Sequence, residues 1–212
     1  PDGNPRLRLA IDSAKANNMP ADNIKRAVQK GTGELQGVSY EEVTYEGYGP
    51  GGVAILVEVV TDNSNRAVSE MRHTFSRNNG NLGTAGSVAW MFQRKGNITV
   101  PRTGQAKPVN EDDLLGVVLD AGAEDVQTEE DAFTVLTSTQ SFDAVKKAIE
   151  AAGMKVQEAA LQMVPQNTVK IGGKEAEQLV KLMEALEEHD DVQNVYANFD
   201  IDEKELAALN NA

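Results

Sequence analysis

The sequence predicts an α+β protein of several domains: an N-terminal helical domain, a central α+β domain, and a ferredoxin-like domain inserted into the central one. Apolar residues recur at helical spacing up to about residue 31, and from Glu42 the spacing becomes that of strands. Residues 97–164 then follow the order β-α-β-β-α-β of a ferredoxin-like unit. Residues 43–93 lack a helix and a strand that would complete their own domain, and both are expected after Pro165. The unit between them is therefore expected to be an insertion. The expected domains are residues 1–38, residues 39–96 with 168–212, and residues 97–167.

The first expected domain consists of two amphipathic helices. Asn4 suits the N-cap of the first helix, and Pro5 suits its first turn. Pro20 opens the second helix, and Gly31 is expected to end it as a C-terminal cap. Two short helices bury too little apolar surface to fold alone, so we expect them to dock on the rest of the chain. The chain begins with Pro1 rather than Met, which is typical of a piece of a longer gene product.

The central domain is expected to contain a strand hairpin, a helix and a further strand. The predicted strands are residues 43–45, 53–60 and 87–93, and the last of these carries the sole Trp. The helix between them begins at a cap formed by Asp62 or Asn63 and ends near Arg77. Its predicted buried face consists of Val68, Met71 and Phe75.

Three glycines in this domain fit the G-x-G-x-x-G phosphate-binding fingerprint by letter: Gly47, Gly49 and Gly52. The fingerprint requires a helix directly after the glycines, so that the phosphates meet helical N–H groups. Here Val53 begins a strand instead. The glycines and Pro50 therefore predict a tight connection between two antiparallel strands.

The expected insert and the return to the central domain complete the fold. In the insert, strands are expected at 97–100, 125–128, 132–137 and 155–163, and helices at 111–121 and 141–152. We interpret the turn-rich residues 101–110 as a domain crossing. The returning elements are a helix at 174–188 and a strand at 192–198. The helix is expected to bury Ala176, Leu179, Val180, Met183 and Leu186.

Composition and motifs exclude several classes of function. No apolar run approaches the roughly 18 residues that a membrane span requires, so we expect a soluble, cytoplasmic protein. The absence of Cys excludes disulfides and thiolate chemistry. His73 and His189 lie far apart and match no metal-binding spacing, and no nucleophile motif is present. We therefore expect a protein that is not an enzyme and has no metal site, no cofactor and no small-molecule substrate.

Charge is distributed unevenly along the chain. The net charge is -13, yet residues 1–98 contain 11 Lys and Arg against 10 Asp and Glu. The excess of acidic residues therefore belongs to the second half. One interpretation is an interaction surface on the less acidic part, and the other is a second half whose acidity only favours solubility.

The candidates for binding a polyanion are cationic side chains, since phosphate contacts require such donors. They fall into a group on the two N-terminal helices and a group around the central helix and strand: Arg6, Arg8, Lys15, Lys25, Arg26 and Lys30, then Arg66, Arg72, Arg77, Arg94 and Lys95. Arg66 follows a helix cap, where its guanidinium and free N–H groups are able to share an anion. Alternatively, Arg66 pairs with Glu70 on the surface, and Arg94 and Lys95 only protect a strand end.

Two tyrosines flank the glycine connection. Tyr45 and Tyr48 either stack on a nucleotide or a peptide, or pack the turn onto the core. The candidate functional loop is therefore Tyr45, Tyr48, Gly49, Pro50 and Gly51.

Six segments between residues 4 and 92 are distinctive in combination: NPRLRLAID, NNMP, KGTGEL, YEEVTYEGYGPGGVAILVEVVTDNSNR, MRHTF and NGNLGTAGSVAWMF. Together they resemble the YebC family, which includes the bacterial regulator PmpR and a mitochondrial translational activator of cytochrome oxidase. Family members usually begin with a basic segment of the form HSKWANIKHRK, to which this chain has no counterpart. The likeness is dense up to residue 98 and looser after it.

The resemblance implies the three domains described above and two roles. One is a transcriptional regulator that binds promoter DNA. The other is a ribosome-associated factor that assists translation, notably of proline-rich stretches. For this second role our own hypothesis is that the target is ribosomal RNA with a nascent chain or tRNA, and that the glycine turn near Tyr48 is an inserted probe. The resemblance implies a location in the bacterial cytoplasm or, alternatively, in the mitochondrial matrix. The primary hypothesis is a regulator that binds DNA through the cationic surface of the helical and central domains, and translation is the alternative.

Overall fold

The computed structural model describes residues 3–34, 39–104 and 107–202, apart from the side chains of Pro5 and Arg6. The chain begins with a helical hairpin of α1 (Pro5–Ala16) and α2 (Ala21–Gly31). The side chain of Asn4 caps α1 as expected, because its Oδ1 accepts the Leu7 N–H at 3.1 Å. Gly31 is not the cap of α2. The helix continues through it, Thr32 is the C-cap, and the left-handed residue that turns the chain is Gly33, with a φ of 75°.

The remaining elements follow in chain order. The central domain begins with β1 (Glu41–Tyr48), β2 (Ala54–Thr61), α3 (Ser64–Arg77) and β3 (Asn81–Leu82). The insert consists of β4 (Phe92–Pro101), α4 (Glu111–Val118), β5 (Ala123–Thr128), β6 (Ala132–Thr137), α5 (Phe142–Ala151) and β7 (Glu158–Pro165). The chain returns with β8 (Val169–Lys170), α6 (Gly173–Glu187), β9 (Val192–Ala197) and β10 (Phe199–Asp200).

The central sheet has the order β3-β1-β2-β9, with α3 and α6 packed on one face. Alternate residues of β2, such as Val57 and Val59, point towards these helices because side chains alternate along a strand. The buried stripe of α3 consists of Ala67, Met71 and Phe75, at a spacing of four residues. The prediction of Val68 as a buried residue of this stripe is therefore wrong, and Ala67 is buried instead. On α6 the fully buried set includes Leu182, while Val180 and Met183 are only partly buried.

The opposite face of the central sheet is covered by residues 83–92. Ala54 and Leu56 of β2 pack there against Val88 and Phe92. The strand expected at 87–93 is therefore wrong: Ala89–Met91 form a 3₁₀ turn, and β4 begins at Phe92. The physical reason is that a side-chain carboxylate accepts the backbone N–H groups of Val88 and Ala89, which a sheet would otherwise use.

The insert has the sheet order β5-β6-β4-β7, in which every neighbouring pair is antiparallel. This is the arrangement of a ferredoxin-like unit and confirms that part of the predicted fold class. The loop after β4 is not a domain crossing. Val109 is buried in the core of the insert, and its N–H donates to the Arg102 carbonyl at 3.0 Å.

We propose that the insert consists of residues 97–167, the same limits that we expect from the sequence. Strand β4 runs without a break through the first limit, since it pairs with β7 from Phe92 to Thr99. The second limit falls between β7 and β8. In the part of the chain that the structure describes, no helix is both long and apolar enough to cross a membrane.

Candidate nucleic-acid interface

Helix α2 presents three cations on its outer face. Ile24, Ala27 and Val28 line a groove against α1, whereas Lys25, Arg26 and Lys30 are exposed. At about 100° per residue, these cations lie on the side of the helix away from the groove. Among the described residues, no carboxylate lies within ion-pair distance of any of the three. Helix α2 therefore offers a compact set of unpaired cations.

Helix α1 adds further cations beside this set. Lys15 is exposed and lies 3.9 Å from Asp12, also exposed, which makes a weak pair. Arg8 is exposed as well. Arg6 belongs to α1, but its side chain lies outside the described residues. The first predicted group therefore lies on one helical hairpin.

Arg66 is held by carboxylates at the start of α3. Its Nη2 lies 2.7 Å from Asp191 Oδ2 and 3.0 Å from Asp62 Oδ1, and its Nε lies 3.7 Å from Glu70 Oε2. Its backbone N–H donates to the Asn63 side chain at 3.0 Å. The guanidinium and the Arg66 N–H thus both have partners within the protein, which favours the surface pairing over the sharing of an external anion. The pairing expected as an alternative is present and includes two further carboxylates.

Asp191 joins β9 to α3 through this contact. It also accepts the Thr61 hydroxyl at 2.8 Å. The hydrogen bond from Arg66 is the main reason that the pKa of Asp191 lies below its ordinary value, and the Thr61 hydroxyl adds to that effect against the opposing influence of burial. The arrangement is a structural connection between the helix and the edge strand of the sheet.

Three possible metal-ligand side chains, Glu70, His189 and Asp191, offer atoms within 4.8 Å of one another. His189 Nδ1 accepts the Asp191 N–H at 3.1 Å, which places the ring proton on Nε2. That Nε2–H donates to Glu70 Oε2 at 2.9 Å. Both ring nitrogens are thus engaged, and the Asp191 carboxylate is engaged by Arg66, so the cluster belongs to the hydrogen-bond network described above.

Arg94 and Lys95 are also paired. Arg94 forms an ion pair with Glu58 of β2, and the same carboxylate accepts from the Asn194 amide at 3.0 Å and the Tyr196 hydroxyl at 3.4 Å. Burial and the neighbouring Glu58 raise the pKa of Tyr196 to about 12. Lys95 lies 2.7 Å from Glu124 of β5. Arg94 thus connects β4 to β2, and Lys95 connects β4 to β5. The alternative that we expected was only that they protect the end of a strand.

Arg72 and Arg77 of α3 are exposed and, within the described ranges, have no carboxylate at ion-pair distance. Helix α3 covers the face of the sheet formed by Val57 and Val59. The groove of the helical hairpin includes Glu42, which pairs with Val60 and so lies on the other face. The unpaired cations of α2 and α3 therefore lie on opposite sides of the central sheet and do not form one continuous surface.

The glycine turn is packed into the core. As expected, it connects two antiparallel strands, with Tyr48 opposite Ala54. Gly49 and Pro50 are buried, and a side chain at Gly49 would meet Ile55 Cδ1 at 2.9 Å. Gly51 is exposed and has a φ of 69°, a conformation that favours glycine.

The two tyrosines beside the turn are partly buried. The Tyr48 hydroxyl donates to the Ser87 carbonyl at 3.1 Å, and the Tyr45 hydroxyl donates to the Ser64 carbonyl at 3.4 Å. Burial, followed by the nearby Asp191 and Glu41, raises the pKa of Tyr45. Of the two roles expected for the tyrosines, packing the turn onto the core is the one that matches these contacts.

Two residues outside the predicted set, Glu46 and Trp90, are notable on the face of the central sheet opposite α3. Glu46 is only 7% exposed, and its carboxylate accepts the N–H groups of Gly86, Val88 and Ala89 at 2.6, 2.7 and 2.8 Å. Burial alone would raise the pKa of Glu46, but these backbone donors together outweigh it and hold the pKa below its ordinary value. The segment so held carries Trp90, whose side chain is 67% exposed. Glu46 gives only a weak signal in the sequence, as a charged residue beside buried positions of a strand.

Comparison with known proteins assigns the whole fold to one family. The model of the second and third TACO1/YebC domains matches residues 40–199, and the model of the TACO1/YebC N-terminal domain matches residues 1–34. The chain belongs to the TACO1/YebC family. This confirms the resemblance seen in the sequence.

Individual members of the TACO1/YebC family support the assignment. A "probable transcriptional regulatory protein" of Geobacter sulfurreducens is 56% identical over 209 residues, which are 99% of this chain and 83% of that protein. One of Chlorobium phaeobacteroides with the same description is 54% identical over 210 residues, 99% of this chain and 82% of that protein. The crystal structure of a conserved hypothetical protein of Aquifex aeolicus has a TM-score of 0.85 and 48% identity, and the match covers 96% of this chain and 82% of that one.

Proposed function

We propose that this member of the TACO1/YebC family is a non-enzymatic regulator of gene expression that binds DNA through the outer face of α2. The observation that carries the proposal is the set of Lys25, Arg26 and Lys30, exposed together with no carboxylate at ion-pair distance in the described part of the chain. Close relatives named as probable transcriptional regulatory proteins support a regulatory role.

Unpaired cations suit phosphate binding better than paired ones. A cation already held by a carboxylate must break that contact before it neutralises a phosphate, and much of its charge is cancelled until then. Arg8 and Lys15 of α1 are included because they are exposed on the same hairpin, although Lys15 also lies 3.9 Å from Asp12, and Arg6 is included from the sequence alone. Arg72 and Arg77 form a second, smaller surface on the other side of the central sheet. A single straight duplex would contact one of these surfaces at a time.

The remaining features fit a binding protein. Among the described residues, His73 is exposed on α3 and His189 is engaged by Glu70, and neither is paired with a nucleophile. We propose that the acidic insert is a spacer or a contact for another protein, since its charge opposes phosphate. The proposed location is the bacterial cytoplasm, with the mitochondrial matrix as the alternative, and the proposed partner is DNA rather than a small molecule.

The alternative is a translation factor that binds ribosomal RNA or tRNA through the same cations. For this translation role, we expected the glycine turn near Tyr48 to insert into the ribosome as a probe. Gly49 and Pro50 are buried, and the exposed part of the turn consists of Gly51 and Gly52, which bring no side chain to a nascent chain. DNA is therefore the target that we propose first.

Selection from fragmented genomic DNA tests this proposal. The protein is mixed with the fragments at physiological salt, bound fragments are sequenced, and the enriched site is compared with random duplex. Specific regulators favour their site by about 10³-fold or more. Equal affinity for every fragment, together with co-sedimentation of the protein with ribosomes in gently lysed cells, would contradict DNA regulation and favour the translation role.

A further inference from the structure

Trp90 stands out on the face of the molecule opposite α3. Its side chain is 67% exposed, while its neighbours Val88 and Phe92 are 0% and 5% exposed. Exposed tryptophan is unusual because burying so large an apolar side chain stabilises a fold by a few kcal/mol. The chain thus anchors both sides of this residue in a core and leaves the indole outside.

The segment that carries Trp90 is fixed before any partner arrives. Glu46 accepts three of its backbone N–H groups. The Ser87 carbonyl accepts both the Tyr48 hydroxyl and the Trp90 Nε1–H, each at 3.1 Å. The Gln166 amide donates to the Trp90 carbonyl at 3.3 Å. A side chain held in this way loses little conformational entropy when it binds, which favours affinity.

The chemistry that Trp90 presents is the face of an aromatic ring. Its one polar atom is already satisfied by Ser87, so a partner gains nothing from the indole N–H. Residues 83–91 contain no charged side chain, and Arg94, the next cation along the chain, is paired with Glu58. The segment that carries Trp90 therefore brings the face of a ring and no charge, which suits a flat, uncharged group better than a phosphate.

We propose that Trp90 stacks on an unpaired nucleobase. This inference rests on the proposed nucleic-acid-binding function, to which it adds a contact with the flat face of a base in place of a phosphate. Bases within an intact duplex are covered on both faces by their neighbours, whereas unpaired bases expose a face to an aromatic side chain. The partner is therefore a single-stranded segment, such as a melted stretch of the bound nucleic acid.

The fluorescence of Trp90 provides a direct test, because the chain contains one Trp. The protein is titrated with a single-stranded oligonucleotide of about 12 nucleotides, roughly one binding site, and with a blunt duplex of the same sequence. Stacking predicts that the single strand quenches the fluorescence and that the duplex does not. Trp90→Ala is expected to weaken single-strand binding by roughly 5- to 150-fold, the range typical of a lost base–aromatic stack. Trp90→Phe should retain most of the affinity. Leu119→Ala, which removes another exposed apolar side chain at the end of α4 in the insert, should retain all of it.

The outcomes separate this inference from the proposed function. If oligonucleotides bind without quenching and Trp90→Ala binds them as tightly as the unchanged protein, the stacking role is wrong and the proposed function stands. Quenching by a proline-rich peptide but not by the single strand would also overturn it, since the platform would then serve a peptide. If neither single strands nor duplexes bind at all, the proposed function fails and the stacking role fails with it.

Discussion

Within the part of the chain that the structure describes, Lys25, Arg26 and Lys30 of α2 have no carboxylate at ion-pair distance. Arg66 of α3 and Arg94 and Lys95 of β4 each contact at least one. The two groups contain the same number of cations. They differ in what surrounds them: the paired group lies among acidic residues on neighbouring strands and helices, and the α2 group lies on a helix whose other face is apolar. The three paired cations therefore maintain the fold, while the three cations of α2 remain available to a partner.

The same comparison explains why the sequence suggests more phosphate-binding residues than the structure supports. A count of Lys and Arg gives each residue the same weight. Phosphate binding depends on the charge that is still uncompensated in the folded protein. The predictions below alter charges in one region at a time, and they run from the largest expected effect to the smallest.

Removal of the Glu46 carboxylate should have the largest effect, and that effect should be on stability. Glu46→Ala removes the charged acceptor of three backbone N–H groups, of which that of Val88 is buried and those of Gly86 and Ala89 are partly buried, and we expect a loss of about 3–5 kcal/mol in the free energy of unfolding. Chemical denaturation monitored by circular dichroism measures it. Glu41→Ala on the same strand is the matched control, because Glu41 is exposed and its loss should change stability by less than about 0.5 kcal/mol. Equal effects of the two changes would contradict the role given to Glu46.

Charge reversal on α2 should affect binding and leave the fold intact. The combined variant Lys25→Glu, Arg26→Glu and Lys30→Glu is expected to bind duplex DNA roughly 10²-fold more weakly at physiological salt, since each reversal removes a phosphate contact. Fluorescence anisotropy of a labelled duplex measures the affinity. The control reverses Lys107, Lys147 and Lys174, which are exposed in the insert and on α6 and give the same net charge. A control variant that loses as much affinity would mean that overall charge, not the α2 surface, determines binding.

Loss of Asp191 should destabilise the protein to a smaller extent and leave binding unchanged. Asp191→Ala removes the acceptor for the Thr61 hydroxyl and for Arg66, and hydrogen bonds to charged groups contribute about 1.5–3 kcal/mol. We expect a loss of about 2 kcal/mol by thermal denaturation. Asp190→Ala, next to it in the chain, serves as the control. Wild-type stability of Asp191→Ala would show that the network around Arg66 is only a surface arrangement.

Acid should weaken the central domain through the same carboxylates. The folded pKa values of Glu46 and Asp191 lie below the ordinary values of 4.5 and 3.8. Groups with lowered pKa values contribute stability above their unfolded pKa, and they lose it as the pH falls through the folded pKa. The melting temperature should therefore be nearly constant from pH 7 to about pH 5 and fall in more acidic solution. Glu46→Gln should show a shallower fall, and an equally steep one would contradict the assigned pKa shift.

Much of the fold follows from local sequence patterns. Strand β6 lies at the predicted residues 132–137, and α6 begins and ends within one residue of its predicted limits. In these segments the hydrophobic period agrees with the contacts made in the fold. The order of elements in the insert was enough to predict its sheet, because few topologies connect β-α-β-β-α-β compactly.

The errors occur where residues distant in sequence meet. Residues 87–93 look like a strand, but Glu46, about 40 positions earlier, takes up their N–H groups. Arg66 looks like an anion site, but Asp191, 125 positions later, already holds it. Trp90 was expected within a strand, and only the turn at Ala89–Met91 leaves it exposed. No local pattern reports such partners, so the fold class was predictable while the availability of each cation was not.

The dependence of DNA affinity on salt tests the central claim most directly. Two variants each remove three positive charges: Lys25→Gln with Arg26→Gln and Lys30→Gln from α2, and Arg66→Gln with Arg94→Gln and Lys95→Gln from the paired group. The slope of log K against log salt concentration changes by about 0.9 for each phosphate contact on duplex DNA. We predict that the α2 variant lowers the magnitude of the slope by about 2–3 and that the paired variant leaves it unchanged. An unchanged slope for the α2 variant, or an equal decrease in both, would contradict the division between charges that bind and charges that maintain the fold.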